Sequence, residues 1–114
     1  MYYTYMIRCM DNSIYTGITT DLQRRMEEHL SQNKKSAKYT KRHKIQKLEL
    51  AWSSENKVLA SKLEYHIKKR LTKKDKEDLI QNYKLLNKYD EINYGEYKKV
   101  RKNIITKINN NLSD

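Results

Sequence analysis

Five side chains in this sequence have the types and spacing to act on a phosphate: Tyr5, Tyr15, Arg25, His29 and Glu64. Arg25 and His29 are four residues apart, so on a helix they stand one turn apart and only about 40° around the axis. Arg24 points about 100° away from Arg25, so the two arginines are not equivalent. Arg25 borders the seam of Leu22 and Met26, where an arginine can grip a phosphate with both arms of its fork while its stem packs. The alternative is an ion pair with Asp21 or Glu28. Glu64, between Leu63 and Ile67, also borders an apolar seam, where an ionised carboxylate costs free energy unless paired or bound to a cation. It could ligate a Mg²⁺ ion that keeps most of its waters. It could equally pair with Lys68 one turn on. Tyr5 and Tyr15 belong to two successive strands, and their hydroxyls could bond a phosphate or assist a nucleophile.

Other chemistries lack their residues. His29, His43 and His66 do not have the spacing of a zinc site with Cys9. No glycine-rich phosphate loop, G-x-S-x-G elbow or H-E-x-x-H helix occurs.

The elements that must position the five are short and well signalled. Residues 2–9 read as a strand with Tyr3, Tyr5 and Ile7 on one side. The "MDNS" turn and a second strand, Ser13 to about Gly17, complete a hairpin, with Gly17 expected to end the pairing by turning. "TDLQ" suggests a capping box from Thr20 to Gln23 and a helix over about 21–32, with Leu22, Met26 and Leu30 as its seam. Residues 31–44 form a basic polar loop. "KLELAWSS" (47–54) alternates Leu48, Leu50 and Trp52 on one side of a third strand. From about Asn56, Leu59, Leu63, Ile67 and Leu71 keep helical spacing, and "TKKD" (72–75) opens a further helix.

The order β-β-α-β-α-α predicts an α+β fold, a small three-stranded mixed or antiparallel sheet flanked by helices. We expect one domain over 1–86 and a basic C-terminal extension over 87–114, helical where Tyr97, Val100, Ile104 and Ile108 recur.

The chain has 114 residues, with 25 Lys and Arg against 14 Asp and Glu and a formal charge of +11. That surplus favours polyanionic partners, nucleic acid first and an anionic membrane surface second. No apolar run approaches the roughly 18–20 residues of a membrane-spanning helix. The single cysteine, Cys9, excludes an intrachain disulfide, and a cytoplasmic location is the expectation.

Taken in order, "YTY" (3–5), "YTG" (15–17), "TTDLQRRMEEH", the basic "SAKYTKRHK" and "LASKLEYHIKK" resemble the GIY-YIG nuclease family, in particular its short single-domain URI-type members. The resemblance covers about residues 2–82. It implies a GIY-YIG fold and phosphodiester hydrolysis with one divalent cation, Mg²⁺ or Mn²⁺, on Glu64. Tyr5 or Tyr15 would assist the attacking water as base, Arg25 would neutralise charge on the phosphate, and His29 would orient water or contact phosphate. Gly17, Arg24, Lys38, Tyr39, Lys41 and Arg42 would contact nucleic acid, DNA rather than RNA, with no small-molecule cofactor and no membrane. Where the family's first motif has its glycine, this chain has Tyr3. Asn82 and Asn87 are the candidates for the polar residue that closes the site in larger members. A binding module with the same fold and slow or no turnover is the alternative.

Overall fold

The computed structural model describes residues 1–31 and 44–112. Its elements are β1 (Tyr2–Cys9), β2 (Ile14–Thr19), α1 (Leu22–Ser31), β3 (Ile45–Ser54), α2 (Lys57–Arg70), α3 (Lys73–Gln81), β4 (Lys98–Lys99) and α4 (Lys102–Asn111). Two 3₁₀ turns, Tyr83–Lys88 and Tyr94–Glu96, join α3 to β4.

The sheet is antiparallel throughout, in the order β2-β1-β3-β4. It has four strands where three were expected. The fourth is two lysines long and carries no apolar alternation that a sequence could reveal. Burial divides the sheet into two faces, as the period of two requires. On one, Tyr5, Ile7 and Cys9 pack with Leu22 and Met26 of α1 and Ile105 and Ile108 of α4. On the other, Met6, Leu50 and Trp52 pack with Leu63 and Ile67 of α2 and Leu79 of α3.

A bulge interrupts β3. Met6 pairs with Leu50 but Ile7 with Leu48, leaving Glu49 as the extra residue. Leu48 therefore joins the Ile7 face while Leu50 and Trp52 join the other, and the single-sided alternation expected of the three does not hold.

The hairpin turn forms as its residues suggest. Asp11 Oδ1 accepts the Ser13 amide at 3.0 Å, and Asn12 takes a positive φ of 71°. Gly17 does not turn: it lies inside β2 opposite Tyr5. The cap of α1 is Asp21, not Thr20, with Asp21 Oδ1 accepting the Arg24 amide at 3.1 Å, while Gln23 reaches Glu27 instead. "TKKD" does open a helix, and Thr72 and Asp75 close it with a capping box.

Residues 87–112 are built into both cores. Ile92 and Tyr97 pack on the α2 face, with Tyr97 Oη donating to the Leu59 carbonyl at 2.7 Å. The chain then rounds the sheet edge at β4, and Val100, Ile105 and Ile108 pack on the α1 face. Ile105, not Ile104, shares the buried stripe with Ile108, because the helix begins only at Lys102. Beyond the end of β4, Asn109 replaces a strand partner: its Oδ1 accepts the Leu48 amide at 2.8 Å and its Nδ2 donates to the Leu48 carbonyl at 2.9 Å.

Candidate active site

β2 is an edge strand, and around it the two helical layers approach each other. Cross-strand pairing sets Tyr5 opposite Gly17 and Tyr15 opposite Ile7, so both tyrosines share the α1 face. Their ring centroids are 6.3 Å apart. Gly17 is what permits this. A Cβ there would stand 2.5 Å from Tyr5 Oη, 2.7 Å from its Cζ and 3.0 Å from Tyr15 Cε2. The residue expected to touch nucleic acid is buried, and its role is to leave room for the Tyr5 ring.

α1 supplies the next two groups. His29 lies against both rings, 5.8 Å from Tyr5 and 5.6 Å from Tyr15 between centroids. Its Nε2 is 2.9 Å from Tyr5 Oη, and the two residues are 0% and 1% exposed. Burial, reinforced by the Arg25 charge, lowers the His29 pKa to about 4, so the imidazole is neutral at physiological pH. Burial pushes the Tyr5 phenol well above its ordinary value, although the Arg25 guanidinium opposes that shift. The resting pair is uncharged.

Arg25 is half-buried and pairs with Glu28 at 2.9 Å. Against the cost of burial, Glu28 and the Tyr5 hydroxyl hold it charged. The alternative of a Glu28 ion pair and the placement beside Tyr5 thus both occur. Arg24 is exposed on the other side of α1.

Glu64 approaches from α2. Its side chain is 25% exposed, and it lies near enough to both tyrosines for its charge to raise their pKa values. Lys68 Nζ is 3.5 Å from Glu64 Oε2 and 5.0 Å above the Tyr15 ring centroid. Lys68 was legible only as a helical partner of Glu64; its stacking on Tyr15 depends on α2 crossing the β2 edge.

The donor set suits a hard cation. Among the described residues no three His, Cys, Asp or Glu side chains gather, so Glu64 would be the protein ligand and water would supply the remainder. Among the described residues there is no closed zinc site. The Lys68 ammonium now provides the positive charge at this carboxylate.

Lys38, Tyr39, Lys41 and Arg42 lie outside the described residues. Asn82 caps the first 3₁₀ turn by accepting the Lys84 amide at 3.2 Å, and Asn87 is exposed. Among the described residues no helix is long and apolar enough to cross a membrane.

An antiparallel hairpin presenting paired tyrosines to an arginine–histidine helix and a glutamate helix defines a class, and a family model described as "GIY-YIG catalytic domain" matches residues 1–78. The chain belongs to the GIY-YIG family of nucleases. It is similar to a UPF0213 protein of Fusobacterium nucleatum, 51% identical over 79 residues that make up 69% of this chain and 76% of that one. It is 40% identical to the UPF0213 protein YsiG of Lactococcus lactis over 103 residues, 90% of this chain and 94% of the relative. The solution NMR structure of a UPF0213 protein from Bacillus halodurans is 36% identical, covering 79% of this chain and 98% of that chain with a TM-score of 0.45.

Proposed function

We propose that the protein is a divalent-cation-dependent endonuclease that hydrolyses phosphodiester bonds, with DNA preferred over RNA and single-stranded or branched substrates cut with little sequence selectivity. The observation that carries this reading is the neutral Tyr5–His29 pair, 2.9 Å apart, with Arg25 at its side and Glu64 within electrostatic reach. A divalent cation held by Glu64, Mg²⁺ or Mn²⁺, would supply Lewis-acid stabilisation of the leaving oxygen.

The chain's own groups do the rest. Arg25 bears the only guanidinium beside the tyrosines among the described residues and would neutralise charge growing on the phosphate. A buried phenol is a poor phenolate, so Tyr5 takes a proton from water only while passing its own to His29 Nε2. That transfer needs His29 neutral, as its lowered pKa keeps it, and in the tautomer whose Nε2 accepts from Tyr5. Tyr15, partly exposed on the same face, is the other hydroxyl able to take this part.

One observation favours the alternative of a binding module with slow turnover: the Lys68 ammonium already pairs with Glu64 and would compete with a cation. A cleavage panel of single-stranded DNA, branched DNA and RNA with Mg²⁺ or Mn²⁺ decides between them. Cutting by wild type that is lost in Glu64→Ala and Arg25→Ala supports the enzyme. Equal binding by all three proteins with no cutting by any would leave the module.

A further inference from the structure

Next to the tyrosine pair, on the same face of the sheet, lies a pocket of about 380 Å³ that no step of the proposed reaction uses. Its apolar surface comes from Tyr3, Leu22, Val100 and Ile104. Tyr3 is the residue that stands in place of the motif glycine. It is one same-face step along β1 from Tyr5, about 7 Å, and Leu22 precedes Arg25 by about one turn of α1. Tyr3 is half-buried and Ile104 is 46% exposed, so the pocket presents an aromatic ring and an aliphatic side chain that the fold leaves partly uncovered.

The rim is cationic. Lys98 and Arg101 line it, both exposed and neither in an ion pair among the described residues. Lys99 is engaged elsewhere, 5.0 Å above the Tyr83 ring. The one carboxylate at the rim, Asp21, spends an oxygen on the Arg24 amide. Residues 97–112 contain five Lys and Arg and no Asp or Glu. A hollow of this size suits a small ligand, near the lower end of the usual range of about 300–1,000 Å³. An aromatic floor with a positive rim is complementary to a flat base carrying a phosphate. In a duplex both faces of each base are covered by stacking, so only an unpaired base could enter.

We propose that this pocket is a subsite for one unpaired nucleotide of the nucleic-acid substrate, its base against Tyr3 and Ile104 and its phosphate between Lys98 and Arg101. The proposal rests on the nuclease reading for the identity of the strand, but its test reads binding alone. The C-terminal segment, outside the matched residues 1–78, then helps choose the substrate.

The test uses the full chain in chelator, with a labelled 12-nucleotide single strand and a blunt duplex of the same sequence, read by fluorescence anisotropy. Tyr3→Leu keeps apolar volume and removes the stacking ring; it should weaken the single strand about tenfold and leave the duplex within about twofold. Lys98→Ala with Arg101→Ala should lower the salt slope for the single strand by about 1.4, two contacts at about 0.7 each. Equal losses on strand and duplex, or no loss on either, would overturn the proposal. So would a free nucleoside monophosphate binding as tightly as the 12-mer, which would make the pocket a site for the free nucleotide. If Tyr3→Leu discriminates as stated while wild type cuts no substrate with Mg²⁺ or Mn²⁺, the subsite stands and the nuclease reading falls.

Discussion

Tyr5 Oη and His29 Nε2 are 2.9 Å apart in a setting closed to solvent, brought together from residues 24 positions apart in sequence. Neither group has an ordinary proton affinity: burial disfavours the phenolate and the imidazolium alike. A buried hydroxyl beside a neutral imidazole is held in position, and passing its proton on leaves an imidazolium whose burial cost the negative charge growing on the phosphate must offset.

Tyr5→Phe keeps the ring in its place over Gly17 and removes only the hydroxyl. Single-turnover cleavage should fall by about 10²–10⁴-fold, the usual worth of a positioned acid–base group. His29→Gln should fall into the same range. The double variant should be no slower than the worse single, since the two act as one unit. A larger loss from Tyr15→Phe than from Tyr5→Phe would move the base role to Tyr15.

Gly17→Ala should damage stability and cleavage together. The added methyl meets the rigid Tyr5 ring at 2.5 Å and 2.7 Å, and Tyr15 at 3.0 Å stands on the other side. Overpacking of this kind costs about 1–3 kcal/mol. Urea titration reads the stability, and the folded variant should still cut more slowly because the Tyr5 ring is displaced.

Arg8 tests the opposite separation. It lies on the face of β1 away from the tyrosines and is nearly buried, bonded to Glu49 at 3.0 Å, to Glu77 of α3 at 2.5 Å and 2.7 Å, and to Asn12 Oδ1 at 3.1 Å. Arg8→Ala leaves Glu49 with only Lys47, 3.7 Å away, and should cost about 1–3 kcal/mol of stability. Cleavage per folded molecule should not change, which urea titration and an active-fraction assay would show.

Acid should destabilise the fold in a defined window. The His29 pKa is about 4 in the folded chain against 6.5 for the free group. Between these values the unfolded chain binds a proton that the folded one does not, so stability rises with pH through the window and is complete above it. Falling from pH 6.5 towards 4 should lose on the order of 3 kcal/mol at most from this group. His29 faces Arg25 and Glu28 on its own helix and Tyr5 and Tyr15 on the sheet. His66, also buried with a lowered pKa, acts in the same direction. His29→Gln should flatten the profile in part, as followed by thermal melts at several pH values.

The strands and helices up to Gln81 were legible because each carries a simple period, and "MDNS" and "TKKD" marked a turn and a helix start. What escaped were features produced by pairing between distant segments. The bulge at Glu49 flips Leu48 to the other face, and no local pattern marks it. Gly17 read as a turn because its true constraint is the Tyr5 ring on the neighbouring strand. Arg8 drew no reading, since its partner Glu77 lies 69 positions away. Ile104 and Ile105 were exchanged because the start of α4 is set by the preceding turn round the sheet edge, and its cap residue Arg101 makes no side-chain bond that would signal it. Tyr5, Tyr15, Arg25 and His29 lie together with Glu64 within electrostatic reach of both tyrosines, a grouping that the element order alone did not give. Lys68 was legible as the partner of Glu64 but not as the cation over the Tyr15 ring.

The most direct test is single-turnover cleavage of a single-stranded DNA oligonucleotide with Mg²⁺ or Mn²⁺, wild type against Glu64→Gln at equal, saturating protein. Glu64→Gln keeps the size of the side chain and removes the charge that a cation would need. The expected result is cation-dependent cutting by wild type and a loss of at least about 10²-fold in the variant, with strand affinity in chelator unchanged. Equal cutting rates for the two proteins, or cutting by wild type that persists in chelator, would contradict it.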